Sequence, residues 1–181
     1  MNKLERYTNT AILLHWLIAL LIFVAFPLGL YMSDLKLSPT KLQLFSYHKW
    51  IGITVLVLAV VRVLWRATHK APALPDSISR LQQIASHIVH GLLYVLLFAV
   101  PLSGWLMSSA KGFQTVLFGV LPLPDLVGKD KELGHVLETV HQSLNYILLL
   151  LVLLHVAALI KHRFIDKDDI LTRMLPKGKN A

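Results

Sequence analysis

Four histidines hold the chemistry that this sequence can do: His15, His48, His141 and His155. His141 and His155 stand fourteen residues apart in a stretch that reads as one continuous helix. At 3.6 residues per turn that interval is nearly four turns, so both imidazoles leave on about the same face, roughly 21 Å apart along the axis. Leu148 to Leu154, between them, is an unbroken aliphatic run. A helix that had only to span lipid would have no use for either ring. Neutral imidazole is a good metal ligand, and the spacing sets two such ligands near opposite edges of a membrane core about 30 Å thick.

The elements that must position these rings are themselves apolar. Hydrophobic residues make up 55% of the 181 positions and charged residues 15%, a blocked pattern unlike that of a soluble domain. Four segments are long enough to cross a bilayer, at about 10–32, 45–65, 84–108 and 136–161, and polar or proline-containing stretches separate them. The expected fold is all-α: an integral membrane four-helix bundle forming a single domain over residues 1–181. The first segment is too long for a signal peptide, contains His15-Trp16 and lacks a small-residue cleavage pattern, so it reads as a retained helix. Pro27 and Pro101 fall inside the first and third segments and are expected to bend them. Leu121-Pro122-Leu123-Pro124-Asp125, in the longest loop, cannot be regular helix, and the apolar 113–121 stretch before it suits the membrane interface.

Charge gives orientation. The formal charge is +8, but the basic residues flank apolar segments instead of forming a stripe, which reads as topology and not as nucleic-acid binding. With the N-terminus inside, twelve of the eighteen Lys and Arg fall on the cytoplasmic side, and both termini are expected there. The six opposite are Lys36, Lys41, Lys49, Lys111, Lys129 and Lys131, facing five acids. Having no cysteine excludes disulfides, iron–sulfur clusters, thiolate-ligated haem and covalently attached haem.

Depth sorts the histidines into two pairs: His15 with His155 near the cytoplasmic face, and His48 with His141 near the periplasmic face. Each pair joins two helices, as the two axial ligands of a haem iron must. Bis-imidazole ligation leaves iron six-coordinate with no open site, which suits electron transfer over oxygen chemistry. Two such centres stacked through the membrane make an electron wire. Gly52, one turn after His48, and Gly29, fourteen residues after His15, are candidates for close approach of a porphyrin, or simple packing glycines. Arg62 lies fourteen residues after His48, on the same inward face. An arginine there needs an anionic partner, a haem propionate or a lipid headgroup. His87 and His90 are rivals: either replaces His15 opposite His155 or donates to a propionate. His69, His135 and His162 read as solvated interfacial residues.

These residues resemble the bacterial cytochrome b561 family, related to the cytochrome b subunits of nickel–iron hydrogenases and formate dehydrogenases. The resemblance covers nearly the whole chain. It is carried by Leu14-His15-Trp16, His48-Lys49 followed by Gly52, Val61-Arg62-Val63-Leu64-Trp65-Arg66, Leu121-Pro122-Leu123-Pro124-Asp125, Val140-His141 and Leu154-His155-Val156-Ala157-Ala158. The tail Lys161-His162-Arg163-Phe164-Ile165-Asp166-Lys167-Asp168 with Leu171-Thr172-Arg173-Met174-Leu175-Pro176 adds to it. The resemblance implies two b-type haems ligated by the first, second and fourth helices, which falls on His15, His48, His141 and His155. It also implies an inner-membrane protein that exchanges electrons between the ubiquinone pool and a redox partner. Some members are superoxide oxidases that take an electron from periplasmic superoxide and reduce ubiquinone. Two other functions are compatible with the residues: a cytochrome b anchor for a separate dehydrogenase, and a non-haem transporter lined by histidines. There is no nucleophile–base arrangement, Gly-rich phosphate loop or carboxylate pair.

Overall fold

The computed structural model describes residues 6–73, 78–168 and 170–176. Four helices dominate it: α1 (Asn9–Asp34), α2 (Pro39–Thr68), α3 (Arg80–Ala110) and α4 (Lys131–Lys161). Each is long and apolar enough to cross a membrane. In chain order, α1 packs on α2, α2 on α3, and α3 on α4, giving a four-helix bundle.

The helices run past the apolar segments at several ends because their polar first turns are capped. Ser38 accepts from the Lys41 N–H at 3.2 Å and Pro39 occupies the first turn, so α2 starts well before Phe45. Ser79 and Gln82 form a reciprocal capping box ahead of α3. Asp130 accepts from the Leu133 N–H at 3.0 Å to open α4. Hydropathy alone does not register these turns, since Lys41, Gln43, Gln82 and Glu132 dilute it.

The interior is thin and the exterior apolar. Leu96, Leu148 and Leu151 form a buried cluster between α3 and α4, with Ile22 of α1 packed on it. Outward residues such as Phe23 (78% exposed) and Leu153 (57%) are as hydrophobic as the buried ones. Helices that are apolar all round, with so little buried inside, match a lipid exterior.

The long loop is strapped to the bundle. A short antiparallel hairpin, β1 (Val116–Leu117) with β2 (Leu121–Pro122), occupies the apolar stretch that suited the interface. Phe118 (φ 51°) and Gly119 (φ 74°) both take left-handed conformations at its turn. Trp50 of α2 donates to the Val116 carbonyl at 2.7 Å, and the Phe118 ring packs against the Trp50 ring at 5.6 Å. At the other end, a π-helical turn (162–166) and a 3₁₀ turn (Leu171–Met174) carry the chain back to the start of α1. There Trp16 donates to the Met174 carbonyl at 2.7 Å and Tyr7 N–H to the Arg173 carbonyl at 3.3 Å. Arg173 is only 4% exposed, and its guanidinium donates to the Ala73 carbonyl at 2.8 Å.

Candidate functional site

The histidines meet in two places. The His48 ring on α2 faces the His141 ring on α4 with centroids 6.3 Å apart and planes at 90°. Near the other end, His15 on α1 faces His155 on α4 at 6.4 Å and 70°. Two imidazoles that bind one metal from opposite sides, each through a bond of about 2 Å, hold their ring centres roughly 6 Å apart. Both separations match that requirement. His90 on α3 is closer to His155, at 5.2 Å, too short for the two rings to ligate one metal from opposite sides. Its Nδ1 is tied to the Ser86 carbonyl at 2.7 Å, and His87 Nδ1 to the Gln83 carbonyl at 2.7 Å.

The His48–His141 pair is held most firmly. The Val100 carbonyl of α3 lies 3.0 Å from His141 Nδ1 and can only accept, so Nδ1 carries the proton and Nε2 keeps its lone pair for a metal. The Ser103 hydroxyl donates to the same carbonyl at 2.8 Å and lies 3.0 Å from Nδ1. One turn on, Gly104 gives the ring its space: a Cβ there would stand 2.9 Å from His141 Cε1. On the facing side, a Cβ at Gly29 would stand 3.1 Å from His48 Cε1. The Gly29 space thus seats the ring of His48, whereas a Cβ at Gly52 would meet nothing within 4 Å. His48 Nδ1 is turned toward the Ala25 carbonyl but is buried without a hydrogen bond of ordinary geometry. A buried, half-satisfied imidazole is costly in an apolar bundle unless its other nitrogen is bound, so the donor set fits an iron held between the rings.

Arg62 belongs to the other pair. It donates to the Ala11 carbonyl at 3.0 Å, and its second terminal nitrogen lies 3.4 Å from His15 Nδ1. Both Arg62 and Arg66 approach the Tyr94 ring of α3, each with the guanidinium carbon 5.7 Å from the ring centre. Among the described residues no carboxylate lies within ion-pair distance of either arginine. A small cleft lined by Tyr7, Thr8, Trp65 and Met174 opens beside them.

Sequence reasoning missed the α3 contribution. Val100, Ser103 and Gly104 ligate nothing, and the one signal for them is a small-residue pair following Pro101. It also misjudged one histidine. His162 is half-buried and meets Asp168 Oδ2 at 2.9 Å and Asp166 Oδ2 at 3.1 Å, while Lys161 pairs with Asp166. His69 is exposed, as expected, and stacks on Trp65 with centroids 3.9 Å apart.

Comparison with known proteins converges on the same chemistry. The model of the prokaryotic cytochrome b561 family matches residues 6–177. The chain is 34% identical over 180 residues to cytochrome b561 homolog 2 of Escherichia coli K12, covering 99% of this chain and 96% of the relative. It is 28% identical to cytochrome b561 homolog 1 of the same organism, covering 97% and 100% of the two chains. It is also 27% identical to a protein of Yersinia pestis named a probable superoxide oxidase, over 97% and 98%. With four apolar spanning helices and histidines paired across the bundle, the chain belongs to the prokaryotic cytochrome b561 family of multi-pass membrane proteins, which bind b-type haem and transfer electrons.

Proposed function

We propose that this protein is a two-haem electron carrier of the bacterial inner membrane that exchanges electrons with the ubiquinone pool. His48 and His141 would hold one haem and His15 and His155 the other, with Arg62 as a contact for haem carboxylate. The observation that carries this reading is the sharing of α4: one helix contributes a ring to each pair, and both pairs have the separation that axial ligation needs. His90 fits beside the second centre and not in place of His15. Haem bound in this way supplies reversible one-electron chemistry at iron with no open coordination site. The chain's own part is to fix ring orientation through Val100 and seat the rings at Gly29 and Gly104.

The family resemblance and the Yersinia pestis relative favour superoxide as the periplasmic donor. Two superoxide ions would each lose one electron and leave as dioxygen, and one ubiquinone would take both electrons with two protons. The excess of Lys and Arg on one side supports cytoplasmic placement of both termini, which would orient this flow.

Purified protein should contain two haems per chain and show a reduced-minus-oxidised alpha band near ~560 nm. Superoxide should reduce both, and a ubiquinone analogue should reoxidise them. One haem or none would refute the two-centre reading. Reduction that needs a co-purifying subunit would make the protein an anchor instead.

A further inference from the structure

The two pairs of histidines sit in different electrostatic surroundings. Next to His15 the charges are guanidinium groups, Arg62 at 3.4 Å from Nδ1 and Arg66 sharing the Tyr94 ring with it. At 3.4 Å the contact is longer than an ordinary hydrogen bond, so Arg62 acts on the ring mainly through its charge. That charge is permanent, and an apolar bundle screens it weakly. Among the described residues no carboxylate pairs with either arginine.

The His48–His141 pair lies in the opposite setting. The hydrogen bond from His141 Nδ1 to the Val100 carbonyl makes the ring a more basic ligand, which favours oxidised iron. The neighbouring cation, Lys49, is turned to Ser108 Oγ at 3.3 Å and to the Phe113 and Gln114 carbonyls at 3.3 and 3.1 Å. Asp125 further offsets its charge.

We propose that Arg62 and Arg66 make the His15–His155 centre the higher-potential member of the pair, so that an electron shared between the two resides there. The proposal rests on the two-haem reading above. Reduction adds one electron to a centre and changes no bond, so a permanent cation beside the ligand, including one that also meets a haem carboxylate, stabilises the reduced form. An electron passing between the centres would leave the His48–His141 side oxidised and the His15–His155 side reduced, with no proton or further reactant taking part. Arg62 and Arg66 are positioning residues for the potential.

The test is an equilibrium redox titration of the haem-loaded protein followed in the alpha band. Wild-type should titrate in two steps, and His155→Ala should lack the higher one. Arg62→Gln should lower that step alone, by at least tenfold in the reduced-to-oxidised ratio at fixed potential, or 59 mV for one electron. Arg62→Lys should recover most of the shift, which a purely structural role would not produce. Arg66→Gln should lower the same step and supplies the comparison if Arg62→Gln loses its haem. Two haems with both steps unmoved in Arg62→Gln, or in Arg66→Gln where Arg62→Gln loses its haem, or a higher step that survives in His155→Ala, would overturn the proposal while leaving two centres standing. A wild-type stoichiometry of one haem would remove the reading beneath it.

Discussion

His141→Ala is expected to strip one haem from the protein and His155→Ala to strip the other. Each variant should fall from two haems per chain to one, and the alpha band should lose about half its amplitude. The two retained spectra should differ, since one comes from the His15–His155 site and the other from the His48–His141 site. The effect is large because an axial bond is lost, whereas outer-shell losses around metal sites typically cost about 10–100-fold in affinity. It is also selective. The rings lie fourteen residues apart on α4 and face different helices, His48 on α2 and His15 on α1. Neither alanine removes a residue of the buried Leu96–Leu148–Leu151 cluster, so the bundle should stay folded. Haem content from pyridine extracts, with helix content by circular dichroism, decides the matter. Full occupancy of both sites in either variant would break the assigned pairing.

Much of this site was legible because it obeys two simple periods. The width of the apolar windows located the four helices, and helical periodicity on α4 put His141 and His155 on one face. Matching depth then selected His48 and His15, and their rings do come together. What stayed hidden depends on contacts between helices. Gly104 follows Ser103 in a helix that adds no ring to either pair, and only the approach of α4 shows that the glycine accommodates a histidine ring. Gly29 stands out by its spacing from His15, yet its open side meets the His48 ring from the neighbouring helix. The grouping of His162 with Asp166 and Asp168 needs a π-turn ended by Lys167 in a left-handed conformation (φ 56°), which local polarity does not announce. The capped ends of α2, α3 and α4 escaped the apolar windows for a related reason: a hydroxyl or carboxylate at the N-cap starts a helix before hydrophobicity does.

Gly104→Ala is expected to weaken haem retention at the His48–His141 site without destabilising the helix that bears it. An alanine Cβ would stand 2.9 Å from His141 Cε1 and 3.3 Å from Nδ1, so the ring must shift. It cannot do so freely, because Nδ1 is held at 3.0 Å by the Val100 carbonyl. Overpacking of this kind costs about 1–3 kcal/mol, which corresponds to roughly 5- to 150-fold in affinity. The same substitution improves helix propensity by about 0.8–1.0 kcal/mol, so thermal unfolding of the haem-free protein should not suffer in proportion. Gly29→Ala acts on the same centre from the opposite side and more gently, since its Cβ would meet His48 Cε1 at 3.1 Å. Both variants should therefore lose the haem that His141→Ala loses, in the order Gly104 before Gly29, and keep the one that His155→Ala loses. Haem transfer to excess apomyoglobin, monitored separately at the two alpha-band components, measures the retention of each. If Gly104→Ala released both haems at wild-type rates, α3 would be a spacer and not the seat that aims His141. If it released the His15–His155 haem first, the glycine would act through bundle packing and not through the ring it touches.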